Sequence, residues 1–117
     1  MSDERRLRKR VHLSVYLAAD NTRTGEAMGK LVDINPAGFL LLTTQTFTTG
    51  EEFSVIIHLP ETIDEQEVIN CKAVALRSSK CANPDFNEVA FEVIYMSSES
   101  KKIVEEIQSK WHLNFPE

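Results

Sequence analysis

The chain has 117 residues, 42% of them hydrophobic and 26% charged, and a formal net charge of −5 at pH 7. That length accommodates a single hydrophobic core, the composition is that of a folded globular domain, and four glycines with four prolines exclude a low-complexity chain. The charge is unevenly placed: residues 1–10 carry five positive and two negative side chains, a net of +3, which leaves −8 for the remaining 107 residues.

The N-terminal charge is followed by no apolar run of signal-peptide length, and no segment approaches the roughly 18 apolar residues of a membrane span. A cytoplasmic protein with no membrane span is expected. Cys71 and Cys81 are too few for a disulfide framework or a four-cysteine metal site, and His12, His58 and His112 show no ligand spacing. Two reduced thiols and no metal site are expected.

In chain order, the basic segment 1–10 precedes a single domain over 11–117. From Val11 the sequence alternates, with Val11, Leu13, Val15 and Leu17 on one side and His12, Ser14 and Tyr16 on the other, the period of a half-buried strand. The turn-like NTRTG (21–25) leads into EAMGKLVD, DINPAG (33–38) breaks the pattern, and GFLLLT resumes it as a short apolar strand. Threonine-rich TTQTFTTG then gives way to EEFSVIIHL, where Phe53, Val55, Ile57 and Leu59 alternate with Ser54, Ile56 and His58, and Pro60 is expected to end the strand. PETIDEQ reads as an acidic loop. EVINCKAVALRSS and FNEVAFEVIYM read as two longer strands joined by the turn-prone SKCANPD.

After Met96 the period becomes helical: Ile103, Ile107 and Trp111 stand at i, i+4 and i+8, and Val104 widens the stripe. Ser97 or Ser98 can cap the helix, and Glu99 suits its first turn. Six closely spaced strands without intervening helices predict a mainly β fold, a six-stranded antiparallel β-barrel with a C-terminal α-helix that plugs or flanks it. Trp111 falls on the apolar stripe and reads as core or barrel lid.

No nucleophile motif, phosphate-cradling glycine loop or metal pattern is present, so no enzyme is expected. Two stretches remain. ERRLRKR (4–10), taken alone, also suits a solvated tail or a non-specific polyanion contact; DINPAG, taken alone, is also an efficient turn, with Asn-Pro initiating it. Together they bring guanidinium groups and a carboxylate–amide pair into one small barrel. Guanidinium pairs bidentately with phosphate oxygens or with guanine O6 and N7, and an ionised Asp33 accepts hydrogen bonds of the kind offered by guanine N1–H and its exocyclic amine.

These residues resemble the PilZ domain family, bacterial receptor modules for cyclic di-GMP, whose signature is RxxxR followed across a hairpin by [D/N]xSxxG. Arg6 and Arg10 in RLRKR match the first motif, with Arg5 directly before it, and Asp33 and Gly38 match the ends of the second; Asn35 stands where the family has serine. NEVAFEVIYMSSESKKIVEEI is similar to the family's last strand and helix, so the likeness spans nearly the whole chain.

The resemblance implies a binding site made of Arg5, Arg6, Arg10, Asp33, Asn35 and Gly38, no cofactor other than cyclic di-GMP as ligand, and an unidentified protein partner to which occupancy is transmitted. Arg6 and Arg10 would grip phosphates and the guanine O6/N7 edge, Asp33 and Asn35 would face a base, and Gly38 would allow the turn its shape and the ligand its approach. An arginine in the place of Arg5 implies two stacked ligands per protomer. Asn35→Ser is expected to bind equally well or more tightly. Arg8 and Lys9 match no fixed position of the signature, and Arg77, at the end of strand five, could approach the ligand but reads first as a solvated strand-terminal arginine. Two other readings stay open: a ligand-independent adaptor in motility, pilus or secretion machinery, and a small nucleic-acid-binding barrel. Nucleic acid is disfavoured as a partner by the acidity of residues 11–117 and the few aromatics on outward strand faces.

Overall fold

The structure, a computed structural model, describes residues 11–110, with side chains from Tyr16 onward. Six strands follow one another, β1 (Val11–Asn21), β2 (Ala27–Asn35), β3 (Gly38–Thr43), β4 (Glu52–Ile63), β5 (Gln66–Lys80) and β6 (Asn87–Met96), and one helix, α1 (Ser98–Lys110), completes them. The strands close into an antiparallel barrel in the order β1-β2-β3-β6-β5-β4. The closing seam is short: among the described residues β1 and β4 pair only at Ala19↔Ile57, Asp20↔Ile56 and Asn21↔Val55.

Alternation places the core. Leu17 and Ala19 of β1, Leu31 and Ile34 of β2, Phe39 and Leu41 of β3, Val55 and Ile57 of β4, Ile69 through Ala75 at every second position of β5, and Val89 and Phe91 of β6 are all buried, while Tyr16 lies outside. Phe39 and Phe91 stack with ring centroids 5.1 Å apart, and Phe47, carried in by the threonine-rich connection, meets Phe53 and Phe91 edge-on. Asparagine side chains shape three of the connections: Asn21 Oδ1 accepts from Arg23 N–H at 2.9 Å, Asn83 Oδ1 from Asp85 N–H at 3.0 Å, and Asn35 Oδ1 from Ala37 N–H at 2.7 Å.

Two expectations are corrected here. Pro60 does not end its strand: β4 runs on to Ile63, and the register with β5 is interrupted between His58 and Ile63, an irregularity where a residue without an N–H is tolerated. The acidic loop shrinks accordingly to a two-residue hairpin, Asp64–Glu65, with both residues in the left-handed region at φ 50° and 66°. DINPAG, likewise, is mostly strand. Asp33, Ile34 and Asn35 belong to β2 and Gly38 to β3, so only Pro36 and Ala37 form the turn.

Antiparallel order gathers the start of β1, the β2–β3 and β4–β5 hairpins and the end of β6 at one mouth of the barrel, and α1 closes that mouth. Ser97 Oγ caps the helix by accepting from Ser100 N–H at 3.1 Å. Ile103, Val104 and Ile107 join the barrel core. Two polar ties hold the far end: Gln108 Nε2 donates to Ile34 O at 2.9 Å, and Lys110 Nζ to Glu61 Oε2 at 2.8 Å. Trp111 lies outside the described residues. No helix among the described residues is long and apolar enough to cross a membrane.

Candidate functional site

Asp33, Ile34 and Asn35 alternate at the end of β2, so Ile34 points into the core at 0% exposure while Asp33 and Asn35 share the outer face. Both are nonetheless buried, at 3% and 8% exposure, an unusual environment for a carboxylate and an amide on the outside of a barrel. Cross-strand pairing places His12, Asp33, Leu40, Ala90 and Arg77 in one row, and Asn35, Gly38, Glu92 and Val74 in the next. Arg77 is therefore on the same row as Asp33, three strand spacings or roughly 14 Å away.

Arg77 is exposed, as expected, but its row with Asp33 follows from an irregularity that the sequence pattern does not mark. Parity along β5 would send Arg77 inward with Ala73 and Ala75, but the register shifts between Ala75 and Arg77, Leu76 is left bulged and exposed, and the arginine emerges outside. Within the two rows Arg77 is the one basic side chain among the described residues, set against Asp33 and Glu92.

Asn35 does more than close β2. Its Oδ1 accepts from both Ala37 N–H at 2.7 Å and Gly38 N–H at 3.0 Å, and Ala37 O in turn accepts from Val93 N–H of β6 at 2.8 Å. The hairpin needs this support. Two-residue hairpins ordinarily use left-handed backbone to match strand twist, whereas the non-glycine residues with positive φ among the described ones are Asp64 and Glu65, not Pro36 or Ala37. The side chain supplies the closure that the backbone geometry does not favour.

Gly38 is required for a reason other than the one expected from sequence. Its φ lies outside the left-handed region, and what excludes a side chain is β6: a Cβ would lie 2.5 Å from the carbonyl oxygen of Phe91. The turn's shape does not depend on it. Arg5, Arg6 and Arg10 lie outside the described residues. The structure thus brings Asp33, Asn35 and Gly38 together at one hairpin, with β1 alongside in the register Val11↔Ile34. Clefts of about 240 and 230 Å³ lie elsewhere, one beside Arg23 and Glu52 at the open mouth and one between Tyr95 and the start of α1. Neither contains a residue of this group.

No protein-family model matches the chain, and no curated protein matches it by sequence. Solved structures do. The PilZ domain of YcgR from Escherichia coli, solved with c-di-GMP, superposes with a TM-score of 0.65 at 14% identity, over 92% of this chain and 91% of that one. The Bacillus subtilis inhibitor of motility MotI/DgrA superposes with a TM-score of 0.71 at 18% identity, over 88% of this chain; the match spans 49% of the MotI chain, about half its length. The closed six-stranded barrel with its C-terminal helix is the PilZ fold.

Proposed function

We propose that this domain is a non-catalytic receptor for cyclic di-GMP that passes ligand occupancy to a protein partner. The register at the start of the barrel carries the reading. Val11 pairs with Ile34, the residue between Asp33 and Asn35, so the first described residue of β1, which follows Arg10 in sequence, is aligned with the stretch of β2 that carries the carboxylate and the amide. A segment bearing Arg5, Arg6 and Arg10 needs no long reach to place guanidinium groups over this face. Asp33 and Glu92 on the rows themselves make a cationic contribution from that segment necessary for a doubly charged anion.

In this reading Arg6 and Arg10 hold phosphates and the guanine O6/N7 edge, Asp33 accepts from guanine N1–H and the exocyclic amine, and ordering of residues 1–10 on the ligand is what a partner senses. Arg5 adds a guanidinium for a second, stacked dinucleotide, giving two ligands per protomer. The likeness to a PilZ domain solved with c-di-GMP supports the choice of ligand.

Calorimetric titration with cyclic di-GMP, with GTP and single-stranded RNA as controls, tests it. Saturable binding of cyclic di-GMP alone is expected. Arg6→Ala, Arg10→Ala and Asp33→Ala should each weaken it by about ten- to a hundred-fold, since a hydrogen bond to a charged group contributes roughly 1.5–3 kcal/mol. A folded parent protein that binds no cyclic di-GMP would favour the second reading, a ligand-independent adaptor. The likeness to an inhibitor of motility is the observation on its side.

A further inference from the structure

The barrel is sealed unevenly between β1 and β4. Near the open mouth the two strands pair from Ala19↔Ile57 to Asn21↔Val55, and His58 Nε2 meets Asp20 Oδ2 at 2.9 Å across the same seam. Towards the helix-capped mouth this pairing stops. There the β4–β5 register is interrupted between His58 and Ile63 and the β1–β2 register between His12 and Leu17, so both strands are irregular over the same stretch. The side chains at this split are incompletely covered. Leu59 continues the inward alternation of the fully buried Val55 and Ile57 yet is only partly buried, and Tyr16 of β1 is more than half exposed. Carried two residues further, the Ala19↔Ile57 register would set Leu59 opposite Leu17, beside Tyr16. An apolar side chain laid in the split would complete the core between two strands that do not pair.

The last turn of α1 points to the occupant. Gln108 is bonded to Ile34 O of β2 and Lys110 to Glu61 of β4, and in the barrel order β1 stands between those two strands. The helix therefore ends over β1, beside the split. Ile103, Val104 and Ile107 face the core, and the next position of that stripe, four residues after Ile107, is Trp111, the single tryptophan of the chain. It opens the segment WHLNFPE (111–117), whose Trp111, Leu113 and Phe115 make it strongly apolar.

We propose that the split between β1 and β4 is the docking site of the chain's own C-terminal segment, with the Trp111 indole laid over Leu59 and beside Tyr16. An indole is broad enough to cover both, and its N–H can stay at the wet rim. The start of β1 gains most from this. It pairs with β2 at Val11↔Ile34 and His12↔Asp33 before the register breaks, and the docked segment supports it from the side that β4 leaves open. Because the residues before Val11 include Arg5, Arg6 and Arg10, the C-terminal segment braces the strand that presents them.

The full chain tests this with no dinucleotide present, so the outcome is independent of the ligand reading. In the parent protein, nuclear Overhauser contacts are expected between the Trp111 indole protons and the Leu59 methyls, and indole emission should lie to the blue of that of the urea-unfolded chain at every protein concentration. Trp111→Ala should speed amide exchange of the β1–β2 pairs at residues 11 and 12 by about tenfold or more while Phe39 and Phe91 keep the parent's rates, and Trp111→Phe should restore most of the protection. Solvent-like emission, or indole contacts confined to residues outside β1 and β4, overturns the docking. Contacts that vanish on dilution give the split to the C-terminal segment of a second copy and overturn the intramolecular seat. Unchanged exchange at residues 11 and 12 in Trp111→Ala overturns the brace; should that variant fail to fold, Trp111→Phe and the parent's indole contacts decide.

Discussion

The two hairpins at the helix-capped mouth are both two-residue turns, and they are closed by different means. Asp64–Glu65 uses the left-handed backbone that matches strand twist, at φ 50° and 66°, with non-glycine residues in a region that costs each of them about 1 kcal/mol. Pro36–Ala37 avoids that region and is held instead by the Asn35 side chain, by the Ala37 O bond to Val93, and by close contact of Gly38 with Phe91 O. The first turn is a backbone solution with exposed acidic side chains; the second draws a buried amide and a tight backbone contact onto the outer face of β2. Polar groups accumulate at the hairpin where the backbone alone is insufficient, and that hairpin is the one carrying the candidate site.

The largest break in this contrast comes from Gly38→Ala. The new Cβ would sit 2.5 Å from a backbone oxygen, which cannot rotate away as a side chain could, so β3 must separate from β6. A loss of about 3 kcal/mol in urea unfolding is expected, with binding lost as a consequence of the displaced hairpin. A stability within the error of the parent's would show that the two strands adjust freely.

Much of this architecture is legible in the sequence. Alternation from Val11, in EEFSVIIHL and in EVINCKAVALRSS finds the strands, and the Ile103, Val104 and Ile107 stripe finds the helix face that meets the core. Legibility fails where the ladder is irregular. Pro60 signals an end that the register shift between His58 and Ile63 makes unnecessary, and a bulge at Leu76 turns Arg77 outward against its parity. At the site, Asp33, Asn35 and Gly38 are recognisable by type and spacing, yet their individual roles are not: Gly38 answers to a carbonyl on β6, some fifty residues later in the chain, and the Asn35 side chain closes the turn. Such roles depend on what lies opposite in space, which no local pattern records. Arg5, Arg6 and Arg10 lie outside the described residues, so for them the sequence motif remains the only guide.

The same substitution should act with opposite sign at the two turns. Glu65→Gly relieves a left-handed φ of 66° and is expected to stabilise the protein by a fraction of 1 kcal/mol up to about 1 kcal/mol, net of the extra entropy glycine brings to the unfolded chain. Ala37→Gly has no such strain to relieve and should destabilise by about 0.4–1 kcal/mol. Thermal midpoints of the two variants falling on the same side of the parent would contradict the assignment of backbone closure to one hairpin and side-chain closure to the other.

The ties from each hairpin to α1 differ too, and one of them carries the smallest effect. Gln108 donates to the carbonyl of Ile34 in a part-buried bond at 2.9 Å, whereas Lys110 meets Glu61 at 2.8 Å between side chains that are more than half exposed. Removing the glutamine donor leaves a backbone acceptor with reduced access to water, so Gln108→Leu is expected to lose about 1 kcal/mol. Lys110→Met removes an ion pair that water and salt already screen, and its unfolding midpoint should be indistinguishable from the parent's at 0.15 M salt. The lysine's pKa is raised above 10.5 by the hydrogen bond to Glu61 and then by that carboxylate's charge. A raised lysine contributes its stabilisation fully below the unfolded value and loses it only as pH climbs through the folded one, so this pair should impose no pH dependence between pH 6 and 9. Were Lys110→Met the more destabilised of the two, the exposed tie would be the one that seats the helix, and the β2–β3 hairpin would owe nothing to α1.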